Sequence, residues 1–120
     1  MKAHKQYQYT RGEHAAWDAE FSTAAEYGKI RMGEQVLFWK EGLHWYVVEL
    51  VRVQRFYRQV ENVYGRLCCG GRSYVIQRLI AVLEDGTELK MHIGDDAAQE
   101  AETLLETLKS KHPGAAYGKA

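Results

Sequence analysis

The chain has 120 residues, with 16 basic and 16 acidic side chains; a domain of this length buries roughly two-thirds of its unfolded surface, so it needs neither metal nor disulfide to fold. The even charge balance argues against a global attraction to nucleic acid or anionic lipid and leaves only a local patch open. The opening residues MKAHKQYQYTRGEH carry no apolar leader core, no uncharged apolar run is long enough to span a bilayer, and two cysteines are fewer than a secreted disulfide framework uses, which predicts a cytoplasmic protein.

In chain order, residues 12–27 (GEHAAWDAEFSTAAEY) place Trp17, Phe21, Ala24 and Ala25 at helical spacing, with Gly28 where a left-handed stop would close the helix. Trp17 and Phe21 would pack on the domain or offer an apolar face to another chain. From Ile30 the texture becomes β-branched and aromatic. QVLFWKEGLHWYVVELV reads as two strands joined at KEG, with Gly42 able to take a positive φ. Both strands are apolar at adjacent as well as alternate positions, so one face meets a core and the other a helix or another subunit. In RVQRFYRQVENVYGRL, Val51 and Val53 alternate in one phase and Phe56, Arg58 and Val60 in the other, a slip that predicts a bulge near Gln54 and Arg55. A turn is expected around QVEN.

RLCCGGRSY, residues 66–74, holds both cysteines. Adjacent strand residues point to opposite faces, so Cys68 and Cys69 diverge, and neither His44 nor His92 stands at ligand-like spacing from them; no metal is expected. A phosphate cradle needs a helix directly after its glycines, and RSYVIQRL is a strand, so Gly70-Gly71 reads as a hairpin corner.

SYVIQRLIAVLEDGTELKMHI is a long strand, an Asp85-Gly86 turn and a return strand in which Leu89, Met91 and Ile93 alternate with Glu88, Lys90 and His92. The run that follows predicts a helix capped by Asp95 or Asp96. Its apolar stripe is Ala97, Ala101, Leu104, Leu105 and Leu108, Lys109 and Lys111 suit its C-terminal end, and Pro113-Gly114 stops it. The tail AAYGKA is expected to be loose unless Tyr117 docks.

One helix, six or seven mostly antiparallel strands and a closing helix define an α+β fold: a β-sandwich or partly open barrel capped by the C-terminal helix, with an additional N-terminal helix. The expected division is an N-terminal helical extension (1–29), a β domain with its capping helix (30–113) and a tail (114–120). VLFWKEGLHWYVV as first hairpin, RLIAVLEDGTELKMHI as last, DDAAQEAETLLETL as capping helix and YRQVENVYGRLCCGG between them resemble the pleckstrin-homology-like superfold found in small bacterial domains of unknown function. The resemblance spans roughly residues 30–113 and implies a binding or assembly module. The KEG loop, short and with one lysine, departs from the longer basic loop of lipid-binding relatives.

No nucleophile elbow, zinc-protease, Walker or dinucleotide motif occurs, which leaves a thiol enzyme using Cys68 or Cys69 with His44 as base as a remote reading. Two others stand ahead of it. One is a protein-interaction or self-assembly module, expected as a homodimer or with another protein, through Trp17, Phe21, Trp45 and Tyr46. The other is an anion or phosphoryl-ligand module built on Arg52, Arg55, Arg58, Arg66 and Arg72, with Arg78 nearby. Its bland alternative pairs these arginines with Glu49, Glu61 and Glu84 on a solvated face. No cofactor is expected.

Overall fold

The computed structural model describes residues 7–64 and 73–118. Cys68, Cys69, Arg66, Arg72 and the Gly70-Gly71 corner lie outside them. The elements run β1 (Gln8–Tyr9), α1 (Ala15–Thr23), β2 (Ala25–Tyr27), β3 (Ile30–Met32), β4 (Val36–Glu41), β5 (His44–Glu49), a 3-10 turn (Leu50–Arg52), β6 (Val53–Tyr64), β7 (Ser73–Leu83), β8 (Glu88–Asp95), α2 (Ala98–Lys111) and β9 (Ala116–Tyr117). One sheet has the order β1-β5-β4-β3-β2 and the other β8-β7-β6-β9, and every pairing is antiparallel except the short β6–β9 contact. Among the described residues the fold is therefore α+β, with two helices and mostly antiparallel sheets that do not close into a barrel. Among the described residues no helix is long and apolar enough to cross a membrane.

The main core lies between the inner faces of the two sheets and α2. Trp39 and Leu37 from β4 meet Phe56, Leu79, Leu89 and Met91 from the second sheet and Leu104 and Leu108 from α2, all at most 2% exposed. A second, smaller cluster sits on the other face of the first sheet, where Phe21 of α1 packs on Tyr9, Val36, Phe38 and Val47. This explains why β4 is apolar at four successive positions: one phase serves the main core and the other serves α1. The sheets are tied at one seam, where the Lys29 N–H donates to the Ile93 carbonyl at 2.8 Å.

Several expected elements are present as read. The β6–β7 register shifts between Val53 and Arg55. The Asp85-Gly86 turn is closed by Leu83 N–H to Thr87 O and Gly86 N–H to Leu83 O, with Gly86 at φ +91. The α2 stripe buries Ala101, Leu104 and Leu108, and the helix ends at Lys111.

Four expectations are corrected. The first helix stops at Thr23, because Ala25–Tyr27 pairs with Ile30–Met32 and sets Glu26 opposite Arg31, an ion pair at 2.8 Å. Gly28, at φ +61, accordingly turns this hairpin instead of ending the helix. The first long hairpin turns at Gly42-Leu43, with Lys40 and Glu41 still in β4, since Glu41 pairs with His44. QVEN is no turn but the middle of β6, paired with β7 throughout. Neither Asp95 nor Asp96 caps α2, whose N-cap is Ala97; Asp96, at φ 54, instead exchanges hydrogen bonds with Val75 through its N–H and its carboxylate. In the tail the expected alternative holds and Tyr117 docks: Ala116–Tyr117 joins β6, and the Tyr117 hydroxyl donates to the Leu108 and His112 carbonyls. The first 29 residues contribute β1 and β2 to the first sheet.

Candidate functional site

A concavity of about 750 Å³ opens where the outer face of the second sheet meets two turns of the first. Its floor follows from strand register. Gln59, Arg78 and His92 stand opposite one another across β6, β7 and β8, and Lys90 follows one pleat along from His92. Strand alternation puts them there, because Leu89, Met91 and Ile93 take the inward phase of β8. The far wall is Lys29, held by the seam to Ile93, together with Lys40, Glu41 and Gly42 at the β4–β5 turn. A second hollow of about 310 Å³ shares Lys29, Lys40 and Gly42 and continues to Arg31 and Trp45.

The cleft gathers basic side chains from both sheets. Arg78 donates to Glu61 at 2.7 Å, whereas Lys29, Lys40 and Lys90 have no carboxylate within ion-pair distance among the described residues. Lys40 instead places its ammonium 5.9 Å from the Trp45 ring centroid. Three lysines thus stand uncompensated against one unpaired carboxylate, Glu41. His92 adds a buried Nε2 that lies 3.3 Å from Asp95 Oδ1 without making a hydrogen bond.

The expected arginine site does not assemble from its described members. Arg52 sits 5.8 Å from the Tyr7 ring and lines a small hollow with Glu84 and Asp85. Arg55 donates to the Gly118 carbonyl at 2.7 Å, and Arg58 to Gln77 Oε1 at 2.7 Å with Glu102 at 3.7 Å. These arginines serve separate local contacts, and among the described residues only the Arg78–Glu61 pair matches the expected partners.

Of the expected interface residues, Phe21 (6% exposed) and Tyr46 (3%) are buried within the chain. Tyr46 stacks on Trp39 with centroids 5.5 Å apart, while Trp17 and Trp45 flank the cluster beneath α1. Arg31 closes that cluster from outside, its guanidinium 4.4 Å from the Phe21 ring and 5.3 Å from the Trp45 ring. The N-terminal helix therefore covers its own sheet. His44 is exposed at the start of β5 with Nδ1 3.4 Å from Gln8 Nε2; its expected thiol partners lie outside the described residues. Among the described residues, no three His, Cys, Asp or Glu side chains come together as a metal-ligand set.

Sequence reasoning missed the lysines because each comes singly from a different element. The only available signal was phase: Lys90 occupies the outward position of a strand whose inward positions are fully apolar, and Lys29 follows a glycine at a turn. Compared with known proteins, the chain matches no family model, no curated protein and no solved structure.

Proposed function

We propose that this protein is a non-catalytic binding module that takes an anionic ligand in the lysine-lined cleft. The convergence of Lys29, Lys40 and Lys90 from three separate elements, without ion-pair partners among the described residues, carries the reading. Like charges brought to one concavity repel one another, and an incoming anion relieves that repulsion while its own approach is steered by the field. The anion function first sought on Arg52, Arg55 and Arg58 moves with this proposal to other residues. Burial of Phe21 and Tyr46 within the chain favours this cleft over self-association through α1. The resemblance to the pleckstrin-homology-like superfold belongs to the same proposal, supported by hairpin strands followed by one amphipathic helix sealing a shared core.

Titration with tripolyphosphate and with poly-glutamate, followed by amide chemical shifts at low and high salt, tests the proposal. At least one polyanion is expected to move the Lys29, Lys40 and Lys90 resonances, to weaken as salt rises, and to lose about threefold in affinity per lysine changed to alanine. Shifts spread evenly over the surface, or unchanged in the Lys29→Ala, Lys90→Ala double variant, would remove the cleft as the site.

A further inference from the structure

We infer that the ligand is an acidic polypeptide segment that carries an apolar side chain beside its carboxylates, an inference that rests on the cleft being an anion site. The first argument is the kind of cation available. Phosphoryl groups are held most specifically by arginine forks, by nests of backbone N–H groups or by helix N-termini. In the cleft, Arg78 is already engaged by Glu61 at 2.7 Å, and in the adjoining hollow Arg31 is engaged by Glu26 at 2.8 Å and stacked on Phe21. The N-terminus of α2 opens on a different hollow, beside Glu26, Asp96 and Glu100. What remains for a ligand is three lysines on separate elements, point charges with no demand for a planar or bidentate partner.

The second argument is what lies between those lysines. Glu41 and Gln59 line the same cleft, and Glu41, without an ion pair among the described residues, is able to accept from a ligand's donor. A dense polyphosphate brings none and is repelled by it. An extended peptide brings one backbone N–H per residue and spaces its carboxylates along the chain, so anionic side chains can meet lysines while amides meet Glu41. The third argument is apolar. Val60, 49% exposed, lines the cleft, and Leu43, 90% exposed, stands at the turn next to Gly42, which lines both hollows. Singly exposed aliphatics are ordinary on any surface, but here one lines the charged concavity and the other follows Gly42 at the turn that borders it. They fit an apolar side chain carried by the same segment.

The test uses a fluorescein-labelled peptide of about ten residues alternating Asp and Leu, a matched peptide with Ser in place of Leu, and tripolyphosphate as competitor, each against the whole protein. Lys90 and Leu43 are exposed, so Lys90→Glu and Leu43→Ser fold as wild type. The Asp/Leu peptide is expected to bind, to weaken about tenfold in Lys90→Glu, and to weaken about threefold both in Leu43→Ser and in the Ser-containing peptide. If tripolyphosphate binds in a Lys90-dependent way more tightly than the peptide, or if the leucines make no difference, the polypeptide inference is overturned and the anion cleft stands. If neither probe depends on Lys90, both readings fall together.

Discussion

β4 and β8 are neighbouring strands of the same small domain, and they obey different rules. In β4 the four residues Val36 to Trp39 are all buried, whereas in β8 Leu89, Met91 and Ile93 are buried and Glu88 and Lys90 are exposed. The difference lies outside the strands. β4 has the main core on one face and the α1 cluster on the other, while the outward phase of β8 faces the cleft. Alternation is thus a record of how many layers a strand separates, and the face without a layer is where unpaired charge can gather.

The largest expected effects break this contrast directly. Phe38→Ala and Trp39→Ala, adjacent in β4, should each cost about 3 to 5 kcal/mol in urea unfolding, because both side chains are fully packed on opposite faces. In β8, Leu89→Ala should cost about 2 to 5 kcal/mol, and its neighbour Lys90→Ala should stay within about 0.5 kcal/mol of wild type. A near-neutral Phe38→Ala would mean that α1 is not seated on the first sheet in solution.

Two glycines sharpen the comparison at the seam. Gly28 and Gly42 have nearly equal positive φ, +61 and +62, so alanine at either bears the left-handed penalty of about 1 kcal/mol. A Cβ at Gly42 meets nothing within 4 Å, but at Gly28 it would run into the backbone carbonyl of Ile93, the same group that accepts from Lys29. Gly28→Ala should therefore lower the thermal midpoint distinctly more than Gly42→Ala. Equal shifts would show that the two sheets separate at the seam without strain.

Much of this architecture was legible where a single layer imposes a single period. The β8 alternation, the α2 stripe and the Asp85-Gly86 turn each follow from residues within one element. What was not legible depended on pairing. Ala24 and Ala25 are strong helix formers, yet Ala25 enters a strand because Met32 lies opposite it. Asp96 has the chemistry of a helix cap, yet Val75 takes its hydrogen bonds. The cleft is the extreme case, since its lysines come from a turn and two strands and only the folded register brings them together.

A smaller effect concerns the N-terminal latch that holds α1 to β1. The Asp18 carboxylate accepts from the Tyr9 hydroxyl and from the Gly12 N–H, and these bonds hold its pKa below the ordinary 3.8. Burial, then the bond to Asp18 and its charge, push Tyr9 up to about 12. The lowered Asp18 value means that its contribution is present above pH 3.8 and is lost as pH falls through the folded value. The raised Tyr9 value means the reverse, a contribution present below pH 10 and lost as pH rises toward 12. Asp18→Asn should lower stability at neutral pH and flatten the acid limb of a stability profile below its ordinary value of 3.8. An acid limb of unchanged slope would place the acid sensitivity elsewhere.

The smallest expected effect separates the two kinds of cation. Arg78 is paired with Glu61 across β6 and β7 and is only partly exposed, so Arg78→Ala should cost about 0.5 to 1 kcal/mol, from the ion pair and from the stem it packs on the sheet. Lys29, Lys40 and Lys90 are exposed and line one cleft, so removing any one of them deletes like charge there and no ion pair among the described residues. Each lysine-to-alanine change should be neutral or stabilising by a few tenths of a kcal/mol at low salt, and the gain should vanish at about 1 M salt, where screening reaches only about 3 Å. Careful thermal melts of the three single variants at both salt concentrations provide the check. A lysine whose removal destabilises the protein at low salt is making a structural contact, and the ligand site would then have to be carried by the other two.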